Sequence, residues 1–388
     1  MKSIDIKETI NDKDTWFNIK RLNLEGLNDD VSVKTFDLNN LTQELTSTLD
    51  SRCTIFEKSK LIRDSQTLSS IIKETDNGKI KSFFGWRRWL DEKFWITTLT
   101  FNFDPYREFS SFEDIDGFLQ YYYEFSKKFV FVPNIKKFKY VSPPDKPLES
   151  TKIEVIDAPS YLNYVDECVH FFSSKNNKPI FVPISISFSI DEIKAIVNSY
   201  IKKEMFYFWI DFESQPIDEV QTARVKTING LIEKSGNFDK CLSFFTNVKR
   251  EIISKRKSDQ SPASDILGTS YGANFIGVDR EPQRRIAQSP VNKNQPTAVE
   301  LAEHKSRDFD AKTYYYVKSK NIQSKSQNVT ANALKLGAEL QKQRSHFLRN
   351  SEIASYLSAK QMIRTFSAGK ILSDIKKTGL TQKKLDLI

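Results

Sequence analysis

The stretch MFYFWIDFESQPIDE, residues 205–219, runs through six apolar or aromatic side chains and then sets down Asp211 and Glu213, two positions apart. Successive side chains of a strand point to opposite faces. Phe206, Phe208, Ile210 and Phe212 therefore share one face, and Tyr207, Trp209, Asp211 and Glu213 share the other. In a parallel sheet covered by helices the wholly apolar face packs on the helices, which leaves the polar one for a barrel interior. The same split recurs at 180–188, where Ile180, Val182, Ile184, Ile186 and Phe188 oppose Phe181, Pro183, Ser185 and Ser187. At 94–104 the polar parity is Thr98, Thr100, Asn102 and Asp104, and at 241–249 it is expected at Ser243, Phe245, Asn247 and Lys249.

Outward from that segment, β-rich runs alternate with helical patterns about 15 to 20 residues long, the spacing of crossover-connected parallel strands. Strands are predicted at 94–104, 129–134, 178–188, 204–213, 241–249 and 274–279, with VSVKTFDL (31–38) and TYYYVK (313–318) in reserve. Ser189 and Glu192 have the spacing of a capping box, and Gly236 stands beyond the end of a helix that starts after Pro216. The expected fold class is α/β, a parallel (β/α) barrel-like core with an N-terminal extension and basic C-terminal helices; a doubly wound open sheet is the alternative. The expected organisation is an extension over 1–92, a barrel-like domain over 93–320 that includes a long polar loop at 280–312, and a basic helical region over 321–388.

Charge narrows the function class. The formal net charge is +9, yet residues 1–248 carry about four more acids than bases and 249–388 about thirteen more bases than acids. A phosphorylated substrate or a nucleic acid is the expected partner. Three dispersed cysteines (Cys53, Cys168, Cys241) form neither a zinc element nor a disulfide framework, and three histidines support no His-rich metal site. No run approaches the roughly 18 apolar residues of a membrane span, and MKSIDIKETINDKDTW has no apolar leader segment, so no membrane and a cytoplasmic location are expected. Glycines at 268, 272 and 277 match neither G-x-G-x-x-G nor a P-loop and read as a helix end followed by a strand.

Polar residues gather late in each strand, where barrel enzymes keep their chemistry. The catalytic candidates are Asp104, Asp211, Glu213 and Asp279, with Asp211 and Asp104 as the chemical pair. Bases that follow the strand ends, Lys136, Lys137, Lys249, Arg250, Arg256, Arg280 and Arg284, are the phosphate-binding candidates. Paired carboxylates with a basic rim suit an enzyme acting on a nucleic acid or nucleotide, at an N-glycosidic bond by base exchange or hydrolysis, or at a phosphodiester with Mg²⁺ as cofactor. The alternative is a non-catalytic nucleic-acid-binding or assembly protein that uses the basic C-terminal helices.

Overall fold

Two antiparallel strands come first, β1 (Asp5–Asn11) and β2 (Asn18–Asn23). The wall of the fold follows: β3 (Phe36–Asp37), β4 (Phe56–Ile62), β5 (Trp95–Phe101), β6 (Val130–Phe131) and β7 (Asn134–Ile135), which are two halves of one segment, then β10 (Ile180–Ser185), β11 (Tyr207–Gln215), β12 (Leu242–Val248) and β14 (Phe275–Ile276). Between β7 and β10 stands an antiparallel pair, β8 (Phe138–Val141) and β9 (Thr151–Glu154). The computed structural model describes residues 2–24, 33–41, 46–47, 49–50, 53–73, 79–85, 93–109, 113–141, 151–175, 177–252, 259–280, 307–319, 324–365 and 370–377.

Each wall strand pairs in parallel with the next in chain order. The circle closes through a parallel bridge between Lys34 and Ile276, in which Thr35 N–H donates to the Ile276 carbonyl at 3.0 Å and Ile276 N–H to that of Val33 at 2.7 Å. Among the described residues, eight parallel segments thus form a closed α/β barrel, and the open-sheet alternative fails because β14 has a second neighbour. The sequence reading starts the barrel at residue 93. Strands β3 and β4 lie before that point, β3 paired with β4 and β4 with β5 over seven residues, so the wall begins at residue 33. The segment FEKSKLI escapes detection because its two lysines and a glutamate mask a strand whose every residue is at least half-buried. TYYYVK is not a barrel strand. It contributes β16 (Tyr315–Lys318), which lies between β13 (Gln260–Pro262) and β15 (Arg307–Asp310) in an antiparallel sheet.

Helices cover the outside: α1 (Ser65–Lys73), α2 (Lys79–Phe84), α3 (Pro105–Glu108), α4 (Glu113–Phe125), α5 (Ala158–Lys175), α6 (Ile190–Lys202) and α7 (Glu219–Lys234). Ser189 forms the expected capping box with Glu192. Asp218, rather than the Pro216 position, caps α7, and Gly236 ends it at φ +71°. After β12 a 3-10 turn (Asp265–Tyr271), ended by Gly272 at φ +95°, stands where a helix would complete the pattern. Part of the cover there comes from α8 (Lys325–Asn350), whose Gln343 accepts from Thr269 Oγ1 at 2.9 Å. Three short helices follow, α9 (Ala354–Ser358), α10 (Gln361–Thr365) and α11 (Lys370–Ile375).

The barrel interior is divided along its axis. Its lower half is a dry aromatic layer of Phe131, Phe181, Trp209 and Phe244, all at most 1% exposed, with Phe131 stacked on Phe181 at 4.7 Å. Ile4 and Leu22 of the N-terminal hairpin segment close this end, and Tyr207 Oη accepts from Ile4 N–H at 2.7 Å. Phe208, Ile210 and Phe212 lie in the outer core with the helices, as their parity requires. For β12 the expected parity is reversed: Phe244 faces in and Phe245 packs in the outer core. Asn247 nevertheless reaches the interior, because its φ of +52° interrupts the alternation. Gly277 is needed for space, since a Cβ there would sit 2.7 Å from Glu57 Oε2 and 2.9 Å from Phe244 and Thr246. Truncating the central ring, Trp209→Ala, also removes the indole donor to Val132 O (3.1 Å) and is expected to cost about 3–5 kcal/mol of unfolding free energy, measured by urea denaturation.

Candidate functional site

Above the aromatic layer the interior turns polar. Glu57 on β4 is fully buried and accepts from Thr35 Oγ1 (2.8 Å), Thr98 Oγ1 (2.8 Å) and Val278 N–H (2.9 Å). Burial pushes its carboxyl above the ordinary range, and these three donors oppose that rise. One level higher, Asp211 has no solvent exposure and takes four hydrogen bonds: Thr100 Oγ1 (3.0 Å) and Asn134 Nδ2 (3.1 Å) on one oxygen, Glu213 N–H (2.9 Å) and Asn247 Nδ2 (2.7 Å) on the other. Tyr161 Oη holds the Asn134 amide in turn at 2.7 Å.

Arg280, just past β14, completes the level. Its Nη2 stands 3.8 Å from Asp211 Oδ2, its Nη1 donates to Lys60 O at 2.8 Å, and its backbone N–H donates to Asn247 Oδ1 at 3.1 Å. The guanidinium is thus fixed before any ligand arrives. Glu213 and Ser214, next along β11, are both left-handed (φ +51° and +62°), a conformation that costs a non-glycine residue of the order of 1–3 kcal/mol and collects at functional sites. The Glu213 carboxyl accepts from Ser185 Oγ, and burial, then the nearby Asp211, raise its pKa. A half-buried carboxyl that keeps its proton longer than usual is suited to act as a general acid.

Of these residues, Ser214 and Arg280 border a cavity of about 530 Å³. Among the described residues, six cations line it (Lys34, Lys60, Arg63, Lys136, Arg250, Arg280) against three carboxylates (Asp37, Asp265, Asp279), a formal excess of three positive charges. The cavity reaches from the barrel mouth at Ser214 and Lys136 to a wall supplied by Tyr316 of β16 and by Asn332 and Leu336 of α8. Arg250 lies over the Tyr316 ring at 4.9 Å, and Tyr316 Oη donates to Asp265 at 2.9 Å. Burial lifts the Asp265 carboxyl to about 6, against the pull of Lys34.

The residues expected from sequence are distributed as follows. Asp211, Glu213 and Arg280 share the mouth; Asp279, Arg250 and Lys136 line the cavity with Arg280. Asp104 does not line the cavity; its backbone starts α3, and its carboxyl faces Arg107 at 3.4 Å. Lys137 is engaged by Glu192, in contact with Oε1 at 2.7 Å, and by Glu154 at 3.5 Å, and it lies over the Phe188 ring. Lys249 is bonded through its backbone to Gln215 and does not line the cavity. Arg256 and Arg284 lie outside the described residues. Sequence reasoning missed Glu57, Lys34, Lys60 and Asp265. Lys34 stood in a strand held only in reserve, and the in-line signal for the others is a charge inside an otherwise buried run. Among the described residues, no group of three or more His, Cys, Asp or Glu side chains is placed to hold a metal ion. Burial raises the thiols of Cys168 and Cys241, the latter to about 12, which disfavours the reactive thiolate.

No family model matches the chain, and no curated protein matches it. Among solved structures it is similar to the tryptophan synthase a2b2 complex from the hyperthermophile Pyrococcus furiosus, at 10% identity and a TM-score of 0.34 over 80% of this chain and 98% of that one. It is also similar to a mutant tryptophan synthase alpha-subunit from the same organism, at 13% identity and a TM-score of 0.29 over 63% and 85% of the two chains. Likenesses this distant carry no argument about activity, and the barrel rests on its own strand pairing.

Two outcomes test this geometry. Asp211→Asn turns an NH₂ toward groups that themselves donate, and is expected to lower unfolding free energy by about 2–4 kcal/mol in urea titrations. Asp265 titrates near 3.8 when unfolded and about 6 when folded, so the native state binds the extra proton between those values. Its contribution is fully present below pH 4 and is lost as the pH rises through 6, a change of about 3 kcal/mol for a rise of about two pH units. The drop in unfolding free energy between about pH 3 and about pH 8 should shrink by about that amount in Asp265→Asn.

Proposed function

We propose that this protein is a barrel enzyme whose cationic cavity holds a phosphate-bearing substrate of nucleotide size. The observation that carries this reading is the convergence on one cavity of Lys60 from β4, Lys136 from beyond β7, Arg250 from beyond β12 and Arg280 from beyond β14. The loops after the seventh and eighth strands are where barrels commonly bind phosphate, and Arg250 and Arg280 come from those two. A volume of about 530 Å³ is in the range of small-molecule sites and suits a nucleotide or a single nucleotide unit of a strand.

Cleavage or exchange at an N-glycosidic bond fits the carboxyls beside the cations. One carboxylate, Asp279 at the cavity wall, would stabilise positive charge that develops on the sugar, while Glu213 with its raised pKa delivers a proton. Asp211 supports the site by fixing Asn134, Asn247 and Arg280, and Asp104 is the member with least support. Mg²⁺, if used, would join the substrate phosphates, because this cation commonly keeps waters and takes only one or two carboxylates. The reading as a nucleic-acid-binding assembly protein has less behind it: Leu336, Leu340 and Phe347 of α8 are buried, so that helix serves as part of the fold.

Calorimetric titration with a nucleoside 5′-monophosphate and with inorganic pyrophosphate tests the proposal. Arg250→Met and Arg280→Met should each weaken binding about 10- to 100-fold, as expected for a charge-assisted contact worth 1.5–3 kcal/mol. Lys137→Met, in a residue committed to Glu192 and outside the cavity, should change it less than about threefold. Equal effects of all three would sink the reading.

A further inference from the structure

We propose that the Lys34 amine is a nucleophile that forms a Schiff base with the carbonyl carbon of a phosphorylated aldehyde or ketone held in the same cavity. This inference rests on the phosphate-binding reading of the site and adds the class of reacting carbon. Among the described residues, three lysines line the cavity; Lys34 is buried, and Lys60 and Lys136 are partly exposed. Its backbone forms the bridge to Ile276 that closes the barrel, and its Nζ donates to the carbonyl oxygen of Gly277, so both ends of the side chain are placed by the two strands that meet there.

Phosphate neutralisation does not call for this residue. Arg250 and Arg280 already present two guanidiniums, groups that stay charged and recognise phosphate in a planar fork. A lysine in a dry site beside them has a different use, because a desolvated amine sheds its proton readily and becomes nucleophilic. Burial lowers the Lys34 pKa, and among the carboxyls that oppose this Asp265 acts most strongly, followed by Glu57 and Asp279. Asp265, lifted to about 6 itself, is able to exchange a proton near neutral pH.

The step balances within the site. The amine lone pair forms the C–N bond as the carbonyl π pair moves onto oxygen, which takes a proton. That proton comes from a carboxyl such as Asp265, whose carboxylate then takes one from the nitrogen and passes it to the hydroxyl; water leaves as the nitrogen lone pair closes the C=N bond, and the product is the protonated imine. Within an N-glycosidic reaction the reacting carbon would be the anomeric carbon of an opened sugar phosphate.

The test uses the full chain and pyridoxal 5′-phosphate, a phosphorylated aldehyde, followed by borohydride, which delivers hydride to the imine carbon and makes the bond permanent. Peptide mass mapping at one equivalent should find at least tenfold more label on Lys34 than on Lys60 or Lys136. Inorganic pyrophosphate should suppress it at least tenfold, and pyridoxal lacking the phosphate should react at least tenfold more slowly. Label confined to Lys60 or Lys136, with pyrophosphate still protecting, overturns the Schiff base and leaves phosphate binding standing. Failure of both pyridoxal 5′-phosphate and pyrophosphate to bind overturns both.

Discussion

A carboxyl group sealed from water has to recover its lost hydration from neighbouring dipoles, and Asp211 does so by drawing five wall segments together. Thr100 comes from β5, Asn134 from β7, Glu213 from β11 itself and Asn247 from β12, while Arg280 follows β14. Parallel strands have no hairpins to set their relative height, so a shared polar knot is one way to fix the upper rim. The left-handed backbone at Glu213 and Asn247 is the cost of aiming these groups inward, and the hydrogen bonds they make at Asp211 offset it.

The fold was largely legible because the apolar parity of β10 and β11 is unmixed, and that parity dictates which face meets helices. The first two wall strands were harder. Residues 33–37 are short, and Lys58 and Lys60 break the pattern of β4, though lysine stems bury well while the amine reaches polar surroundings. The wrong face was assigned to β12 because one left-handed residue resets the alternation, and nothing in Ser243, Phe245 or Asn247 announces such a kink. Within the site, Asp211, Glu213, Arg250 and Arg280 were readable from their place at strand ends. The link between Asp265, Tyr316 and Arg250 joins residues up to 66 positions apart through tertiary packing, which no local pattern encodes.

Dielectric contrast explains how one tube serves two ends. Phe131, Phe181, Trp209 and Phe244 fill the lower interior without polar atoms beyond the indole nitrogen, which donates to Val132 O. Charges above this layer interact in a medium with little water beneath them, so each ion pair and each unpaired charge weighs more than it would at the surface. The raised Glu57, Glu213 and Asp265 and the lowered Lys34 all belong to that zone.

The antiparallel sheet of β13, β15 and β16 joins chain that follows the seventh wall strand to chain that follows the eighth, and α8 lies against the same cavity. During synthesis the last wall strand emerges some forty residues before Tyr316 does. The far wall of the pocket, Tyr316, Asn332 and Leu336, is therefore supplied by chain made only after every strand of the barrel.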